Sequence, residues 1–344
     1  ENLIAKIINN DKILLTDSCT SALEISALII KKSPLDEVIM PSYTFTSSAS
    51  AFVKAGFKVR FVDIEPYTAM IDPDKIEQKI NKNTRAIVVV HYAGFVAQIK
   101  KIKKICTKYQ LSLVEDAAQS FNSFTKEQAV GCIGDFGCYS FHETKNIHAG
   151  LSGALVVKSK KDYDRAICIR ERGTNRNDVL KGISKKYEWV EIGGSYYPTE
   201  LQAAFLYSQL SELKKNTAKR KKIFNRYSLK LKLLLEKKLI YFNTIEDDYI
   251  SNFHAFFIIT NSEKDKKNLI QFLLENNIHA YIGYVPLHSS KVGIKLGNKK
   301  NDLPITEKIA KRIIRLPFHN SMSSKDIDRV AKKIKEYYSS KYEF

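Results

Sequence analysis

The stretch RAIVVVHYAGFVAQIKKIKKICTKYQLSLVED, residues 85–116, decides the fold class. It opens with an uninterrupted apolar run (85–92), continues with apolar residues at helical spacing (99–109) and closes with a second apolar run (111–116). A short apolar run without polar alternation is typical of a strand buried on both faces, and a helix between two such strands makes them parallel. The stretch therefore predicts a βαβ unit within a parallel sheet.

The same alternation of strands and helices precedes this unit. The predicted elements are a helix at SALEISALII (21–30), strands at DEVIM (36–40) and FKVRFVDI (57–64), and a helix at DPDKIEQKI (72–80) with Asp72 as N-cap and Pro73 in the first turn. Strands separated by helices of this length predict an α/β fold, with a mostly parallel sheet sandwiched between helices.

The pattern changes in the C-terminal third of the chain. After a long helix that begins at YPTELQAAFLYSQLSEL (197–213), strand-like runs alternate with helices in a shorter arrangement. The predicted strands are NFHAFFIIT (252–260) and IHAYIGYVP (278–286), and the predicted helices lie near 264–276, 304–315 and 324–338. We expect a large domain at 1–220 and a smaller α+β domain at 221–344, with the boundary inside the long helix.

Composition narrows the class of protein. The chain has 344 residues, 44% of them hydrophobic, which is enough for a sizeable core. The five cysteines form no C-x-x-C pair, and a reducing cytoplasm fits this usage better than a disulfide framework. No apolar run is long enough to cross a membrane. His142-Glu143 starts like the zinc motif H-E-x-x-H, but Asn146 occupies the second histidine position, so no metal site is predicted.

The formal net charge of +19 raises the question of a polyanionic partner. Clusters such as KNTAKRKK (215–222) lie in helix-like segments without interleaved aromatic residues. A solvated, lysine-rich surface explains them better than a nucleic-acid interface does, and we expect no nucleic-acid partner. The same positive field would favour a small substrate that carries phosphates.

Chemically useful side chains cluster where the predicted parallel strands end, at the edge of the sheet where ligands bind. Asp116 ends one strand and precedes Gln119 by three residues, while Ser140 ends another strand and leads to Lys145. The segment TDSCTSALE (16–24) turns from an apolar run into a helix, whose first N–H groups, at Thr20 and Ser21, would face a bound anion. PSYTF (41–45) presents aromatic side chains at a similar turn.

An acid, a lysine, an anion cradle and an aromatic face together suit pyridoxal phosphate. This cofactor needs a lysine for its Schiff base, a carboxylate beside its pyridine nitrogen, N–H donors for its phosphate and a flat neighbour for its ring. Each residue alone has a simpler explanation: Lys145 as a solvated lysine, Asp116 as a helix cap, and Phe45 as a core residue. The hypothesis depends on their joint occurrence in this chain order.

Three motifs strengthen it. SFHETKN (140–146), VEDAAQ (114–119) and LQAA (201–204) resemble the S-F-x-x-x-K-N, E-D-x-A-Q/H and L-Q-A-A motifs of the DegT/DnrJ/EryC1/StrS family of sugar aminotransferases. The resemblance covers nearly the whole chain. It implies the aspartate-aminotransferase-like fold (type I) of pyridoxal-phosphate-dependent transferases. It also implies transamination of a nucleotide-linked 4-keto-6-deoxy sugar with L-glutamate.

The resemblance assigns expected roles residue by residue. Lys145 would be the Schiff-base lysine and proton shuttle, Asp116 would pair with the pyridine nitrogen, Gln119 would lie near the ring hydroxyl, and Phe45 would stack on the ring. The remaining candidates are Thr20, Ser21 and Ser140 for the phosphate, Ser195 for the phosphate of a neighbouring subunit in a homodimer with shared sites, and His91, His142, Tyr284 and His288 for the substrate pocket.

Two departures from the family pattern keep an alternative open. GLSG (150–153) stands where the family has G-E-G-G or G-D-G-G, and the chain begins inside the family's N-terminal region, so a few dozen residues are expected to be missing. These features are compatible with a family member that binds or regulates without catalysis. A family dehydratase is disfavoured because such enzymes carry histidine at the position of Lys145.

Overall fold

The computed structural model describes residues 1–245 and 249–341. Its α-helices are α1 (Asn2–Ile8), α2 (Cys19–Ile30), α3 (Thr46–Lys54), α4 (Ile99–Tyr109), α5 (Lys160–Arg170), α6 (Arg176–Leu180), α7 (Glu200–Ser211), α8 (Leu213–Glu236), α9 (Glu263–Glu275), α10 (Lys291–Lys295), α11 (Pro304–Ala310) and α12 (Ser324–Ser339). Its strands are β1 (Ile13–Thr16), β2 (Glu37–Pro41), β3 (Lys58–Val62), β4 (Thr84–Val90), β5 (Ser112–Asp116), β6 (Phe124–Thr125), β7 (Phe136–Ser140), β8 (Gly153–Val157), β9 (Ile240–Tyr241), β10 (Tyr249–Ile250), β11 (Phe257–Thr260), β12 (Tyr281–Ile282) and β13 (Ile313–Arg315).

A seven-stranded sheet with the order β1-β8-β7-β5-β4-β2-β3 forms the centre of the protein. Strands β2, β3, β4, β5 and β7 pair in parallel, whereas β8 pairs antiparallel with both β1 and β7. Most positions of the inner strands are buried, as expected for a sheet covered on both faces. The predicted α/β fold class is confirmed.

The helices cover this sheet through apolar side chains at helical spacing. In α4, Ile99, Ile102, Ile105 and Cys106 are buried while the intervening lysines face solvent, so the helix shields one sheet face. Helix α2 lies deeper and buries residues on most of its circumference, against α3, α5, β7 and β8. Its position places its N-terminus at the carboxyl edge of the sheet.

A smaller antiparallel sheet with the order β12-β13-β11-β9 follows in the C-terminal part. The long helix α8 packs against α12, and α9 packs against the same small sheet. A smaller C-terminal α+β domain is thus present, as predicted. The expected boundary at residue 220 falls inside α8 and stays a prediction.

Three element predictions were wrong in detail. Residues 72–80 form two 3-10 turns, Pro73–Lys75 and Glu77–Lys79, because Pro73 and Ile76 are the only buried residues of this short segment. The helix predicted for 304–315 ends at Ala310, since Ile313 and Ile314 are buried by pairing with β11 and β12. The strand predicted for 252–260 begins only at Phe257. In the ranges described, no helix combines the length and apolarity needed to span a membrane.

Candidate active site

A cavity of ≈ 410 Å³ opens at the carboxyl edge of the large sheet. Its walls come from the ends of β4, β5 and β7, from the N-terminal ends of α2 and α3, and from the C-terminal domain. The sequence-predicted residues that line it are Thr20, Phe45, His91, Asp116, Gln119, Ser140, His142, Lys145 and Tyr284. The volume lies within the range usual for small-molecule sites.

Lys145 and Asp116 line this one cavity. Lys145 follows β7 in a turn closed by a hydrogen bond from its N–H to the His142 carbonyl at 2.9 Å. Burial lowers the pKa of Lys145; the negative charge of Asp116 opposes the effect and the positive charge of Arg315 adds to it. Lys145 therefore has a larger neutral fraction near neutral pH than an ordinary lysine, as a nucleophile or base requires.

Asp116 ends β5 and is 4% exposed. Its Oδ2 accepts a hydrogen bond from Ser48 Oγ at 2.6 Å, and its Oδ1 accepts one from the Ala118 N–H at 3.2 Å. Burial raises the pKa of Asp116, while these two hydrogen bonds and the charge of Lys145 pull it down. Two donors leave acceptor capacity on the carboxylate, so Asp116 can bind a further N–H group in the cavity.

The N-terminus of α2 forms another wall. Ser18 caps the helix by accepting the Ser21 N–H at 3.1 Å, and Ser18, Cys19 and Thr20 line the cavity. A Cβ added at Gly153 would lie 2.3 Å from the Cys19 nitrogen and 2.4 Å from the Ser18 carbonyl carbon, so only glycine lets β8 approach this helix end. The N–H groups at a helix N-terminus favour an anion such as phosphate.

Gln119 joins the two domains at the cavity. Its Oε1 accepts the Ala93 N–H at 2.7 Å, and its Nε2 donates to the Tyr284 hydroxyl at 2.8 Å. The ring of Phe45, 58% exposed, has its centroid 6.2 Å from that of Tyr284. The two aromatic rings leave an open apolar flank on which a flat ligand could lie.

Two expected contacts are corrected. Ser21 is not among the lining residues of the cavity, because its N–H and hydroxyl both meet the Ser18 hydroxyl. His288 is fully buried away from the cavity: its Nδ1 accepts from Ser42 Oγ at 2.7 Å, and its Nε2 donates to the Lys300 carbonyl at 3.2 Å. Ser21 therefore takes part in capping α2, and His288 is a structural histidine with both ring nitrogens hydrogen-bonded.

His91 and Ser195 differ from the other candidates. His91 touches the cavity, but its Nδ1 accepts the Ala97 N–H at 3.2 Å and its Nε2 therefore donates to Glu115 at 3.1 Å. Both ring nitrogens are thus occupied by the protein. Ser195 is exposed and does not line the cavity of its own chain, where its backbone bridges to Glu171.

Sequence reasoning missed two basic residues from the C-terminal domain. His254 lines the cavity, and its Nδ1 lies 3.0 Å from Asn146 Oδ1; because Asn146 Nδ2 donates to the Asn252 carbonyl, the oxygen accepts and the histidine nitrogen donates. Burial holds the pKa of His254 well below its usual value, with the charges of Lys145, Arg220 and Arg315 adding to the effect. Arg315 also lines the cavity. Asn146, directly after Lys145 in the sequence, could have pointed to a polar partner such as His254. No local sequence signal indicated that Arg315 lines the cavity.

Comparison with known proteins places these features in context. The family model of the DegT/DnrJ/EryC1/StrS aminotransferase family matches residues 1–335. A curated relative, the dTDP-3-amino-3,6-dideoxy-alpha-D-galactopyranose transaminase of Aneurinibacillus thermoaerophilus, is 31% identical over 305 residues, which cover 88% of this chain and 79% of that protein. The pleiotropic regulatory protein of Geobacillus stearothermophilus is 30% identical over 321 residues, covering 93% and 83%.

A solved structure supports the fold alone. PseC of Helicobacter pylori, an aminotransferase involved in the biosynthesis of pseudoaminic acid, superimposes with a TM-score of 0.88 at 24% identity. The match covers 99% of this chain and 90% of that chain.

Proposed function

The chain belongs to the DegT/DnrJ/EryC1/StrS aminotransferase family, and we propose that it aminates a nucleotide-linked 4-keto-6-deoxy sugar with L-glutamate as the amino donor. The proposed substrate is dTDP-4-dehydro-6-deoxy-D-glucose. The product would be a dTDP-4-amino-4,6-dideoxyhexose for a surface polysaccharide such as O-antigen. The observation that carries this proposal is the shared cavity of Lys145 and Asp116 beside the N-terminus of α2.

The cofactor is pyridoxal 5′-phosphate, and the cavity residues fit it. When bound, it supplies an aldehyde for attachment of amines and a ring that withdraws electrons from the carbon losing its proton. Lys145 Nζ would hold it covalently, and the free acceptor capacity of Asp116 suits a protonated pyridine nitrogen. Thr20, Ser140 and the α2 N-terminus would hold the phosphate, at the helix end that β8 approaches closely through Gly153.

Three further side chains would orient the ring and the substrate. Phe45 offers an exposed aromatic face inside the cavity, and Gln119 and Tyr284 form a hydrogen-bonded pair at its domain junction. His142, whose Nδ1 accepts the Thr144 N–H at 3.3 Å, lines the open side and remains a candidate for sugar contact.

Lys145 would then act as the proton carrier of both half-reactions. Its neutral Nζ takes the proton from Cα of glutamate, and later it returns a proton to C4 of the sugar. The lowered pKa of Lys145 supports this role, because the amine must be unprotonated to begin. Asp116 would stabilise the positive charge of a protonated pyridine nitrogen, and its burial strengthens that interaction.

The protein is proposed to work as a homodimer with shared sites. Gln202 Nε2 in α7 donates to the carbonyl of Leu151, a residue at the cavity wall, so the α7 face continues from the cavity mouth. The α7 face and the segment from the end of α6 to residue 192 carry exposed apolar side chains: Leu180, Ile183, Trp189, Val190, Ile192, Leu201, Phe205 and Tyr207. A second copy covering them would bring its own exposed Ser195 toward the phosphate end. Sedimentation of the purified protein tests the dimer.

The enzymatic test uses purified protein, glutamate and a panel of dTDP- and UDP-linked keto sugars. We expect an amino sugar whose mass and proton NMR spectrum assign the aminated carbon, and no product with Lys145→Ala. Borohydride treatment should fix the cofactor on Lys145, which peptide mass spectrometry would locate. Failure to aminate any keto sugar, with cofactor bound, would overturn the proposed reaction.

Two alternatives have specific support. Amination at C3 is supported by the relative from Aneurinibacillus thermoaerophilus, a dTDP-3-amino sugar transaminase. The keto-sugar panel also tests the alternative of a UDP-linked substrate. A binding or regulatory role is favoured by GLSG (150–153) and by the relative from Geobacillus stearothermophilus. The NMR assignment of the product decides the first alternative, and cofactor binding without turnover would favour the second.

A further inference from the structure

A second cavity, of ≈ 690 Å³, lies between the large domain and the C-terminal domain. Its walls come from the segment after β3, the N-terminus of α4, β6 and the segment around β9 and β10. Among the described residues, none lines both this cavity and the active-site cavity. The volume lies within the range of small-molecule sites, so the second cavity has room for a ligand of its own.

Asn243 is a buried polar residue in the wall of this cavity. It follows β9, is 8% exposed and forms no side-chain hydrogen bond to another described residue. Its amide atoms are not among the unpaired polar atoms that are sealed inside the protein, so they face the cavity. A buried amide without a partner loses the hydrogen bonds that it makes in water. A ligand that offers both a donor and an acceptor would restore them.

The N-terminus of α4 forms another part of the wall. Its N-cap residue, Gln98, gives the helix no side-chain cap, because the Gln98 amide donates to Glu65 instead. Glu65 also accepts the Thr68 hydroxyl at 2.7 Å, so this carboxylate is already hydrogen-bonded. The N–H of Lys100 meets no acceptor among the described residues. An uncapped helix N-terminus with an unpaired N–H favours an anion.

The lysines at the cavity differ in their partners. Lys100 pairs with Glu127 at 2.5 Å, and Lys101 pairs with Asp74 at 2.6 Å. Lys126 also lines the cavity, is exposed and has no carboxylate partner in the part of the chain that the structure describes. The ammonium group of Lys126 is therefore available to an anionic ligand.

Aromatic side chains complete the lining. Phe95, Tyr241 and Tyr249 lie in the cavity wall, and aromatic rings hold flat bases by stacking. A carboxamide such as that of Asn243 presents a donor and an acceptor side by side, which matches N7 and the N6 amino group of adenine. A site for an anion, a flat ring and an edge of this type fits a nucleoside monophosphate.

We propose that this cavity is a second ligand site, which binds an adenine nucleoside monophosphate. Asn243 would bind the edge of the base, the aromatic side chains its face, and Lys126 with the N-terminus of α4 the phosphate. The site goes beyond the proposed transamination and does not depend on it. Residues 90–97 border both cavities, so the bound nucleotide would contact the same stretch of chain that carries His91 to the active site.

Calorimetry with AMP, adenosine and inorganic phosphate tests the proposal. The protein is loaded with pyridoxal phosphate, so that the cofactor occupies the phosphate cradle at α2. Asn243→Leu removes the amide at similar size, and Lys126→Glu reverses a charge at the surface. Their matched controls are Asn261→Leu and Lys161→Glu, which change exposed residues outside the cavity. Circular dichroism confirms that each variant is folded.

AMP should bind the parent protein more tightly than either adenosine or phosphate alone. Asn243→Leu should weaken AMP binding by about ten- to a hundredfold, as expected for the loss of a two-point base contact, and should leave phosphate binding unchanged. Lys126→Glu should weaken the binding of AMP and phosphate by about tenfold without affecting adenosine. Both control variants should match the parent protein.

Two results would overturn the proposal. Absence of AMP binding, or equal AMP affinity in the parent protein, Asn243→Leu and Lys126→Glu, would show that AMP does not occupy this cavity. Phosphate binding that the adenosine portion does not improve would reduce the cavity to an anion site. If Asn243→Leu does not fold, the surface change Lys126→Glu still decides. Failure to aminate any keto sugar would leave these measurements unchanged, so the second site and the proposed function can fail separately.

Discussion

Ser48 Oγ donates a hydrogen bond of 2.6 Å to Asp116 Oδ2, from the first turns of α3 to the end of β5. This bond lowers the pKa of a carboxylate that burial raises. In Ser48→Ala the pKa of Asp116 should therefore rise further, because the carboxylate loses a hydrogen bond that favours its charged form. Cofactor affinity should fall as pH decreases through this pKa, so the acid midpoint of cofactor binding should move upward, as absorbance titration would detect.

Ser50→Ala on the exposed side of the same helix is the matched control for this prediction. It changes the same residue type without touching Asp116 and should leave the midpoint where it is. Equal midpoints for the two variants would mean that the Ser48 bond does not tune the carboxylate.

The lowered pKa of Lys145 predicts an unusual labelling profile in the cofactor-free protein. A lysine reacts with acetic anhydride only as the neutral amine, so the pH midpoint of labelling at Lys145 should lie below that of surface lysines on the same molecule. Because Asp116 raises this pKa and Arg315 lowers it, Asp116→Asn should move the midpoint down and Arg315→Gln should move it up. Mass spectrometry of peptides labelled across a pH series measures all three. A midpoint equal to that of surface lysines would contradict the burial effect.

The position of His288 predicts a loss of stability without loss of substrate binding. Both ring nitrogens are hydrogen-bonded, to Ser42 near β2 and to the backbone of the C-terminal domain. His288→Ala should destabilise the protein by roughly 2–4 kcal/mol, because it opens a void and leaves buried polar groups unpaired. The urea unfolding midpoint of the cofactor-free protein measures this.

His319→Ala, a change of an exposed histidine, is the control and should shift stability by less than about 0.5 kcal/mol. If His288→Ala kept its stability and instead raised the sugar concentration at half-saturation, the structural role would be refuted.

Gly153→Ala should disrupt the anion cradle. The added methyl group would meet the Ser18 and Cys19 backbone at 2.3–2.4 Å, and backbone atoms cannot swing away as a flexible side chain can. We expect the α2 N-terminus to be displaced at a cost of about 1–3 kcal/mol, with a weaker affinity for pyridoxal phosphate and for inorganic phosphate. Calorimetry with inorganic phosphate checks the cradle apart from the rest of the cofactor. Parent-like phosphate binding would show that the helix end does not need this glycine.

The large-domain half of the site could be predicted because it follows from local pattern. Apolar runs give the parallel strands, and the carboxyl ends of parallel strands converge on one edge, so Asp116 and Lys145 were expected together. Both side chains line the same cavity. Phe45 could be placed in the same way, since it lies in the turn between β2 and α3.

The C-terminal wall could not be predicted, because long-range pairing creates it. Arg315 lies in a stretch whose pattern continued a helix, and only antiparallel pairing with β11 and β12 turns residues 313–315 into a strand. His288 was predicted for the substrate pocket but lies buried, with both ring nitrogens hydrogen-bonded to the protein. A buried structural histidine and a substrate-binding histidine look alike in sequence. The 3-10 turns at 73–79 reflect a local preference with too little buried surface to sustain a full helix.

The bond between Gln119 and Tyr284 spans 165 positions along the chain. During translation, Asp116 and Lys145 leave the ribosome well before Tyr284 and Arg315, which complete the pocket, are synthesised. Domains generally fold in the order of their synthesis. A growing chain would hold the reactive amine in an unfinished, water-filled groove. Vitamin B6 capture should consequently be among the last events of biogenesis, after translation of the final third of the polypeptide.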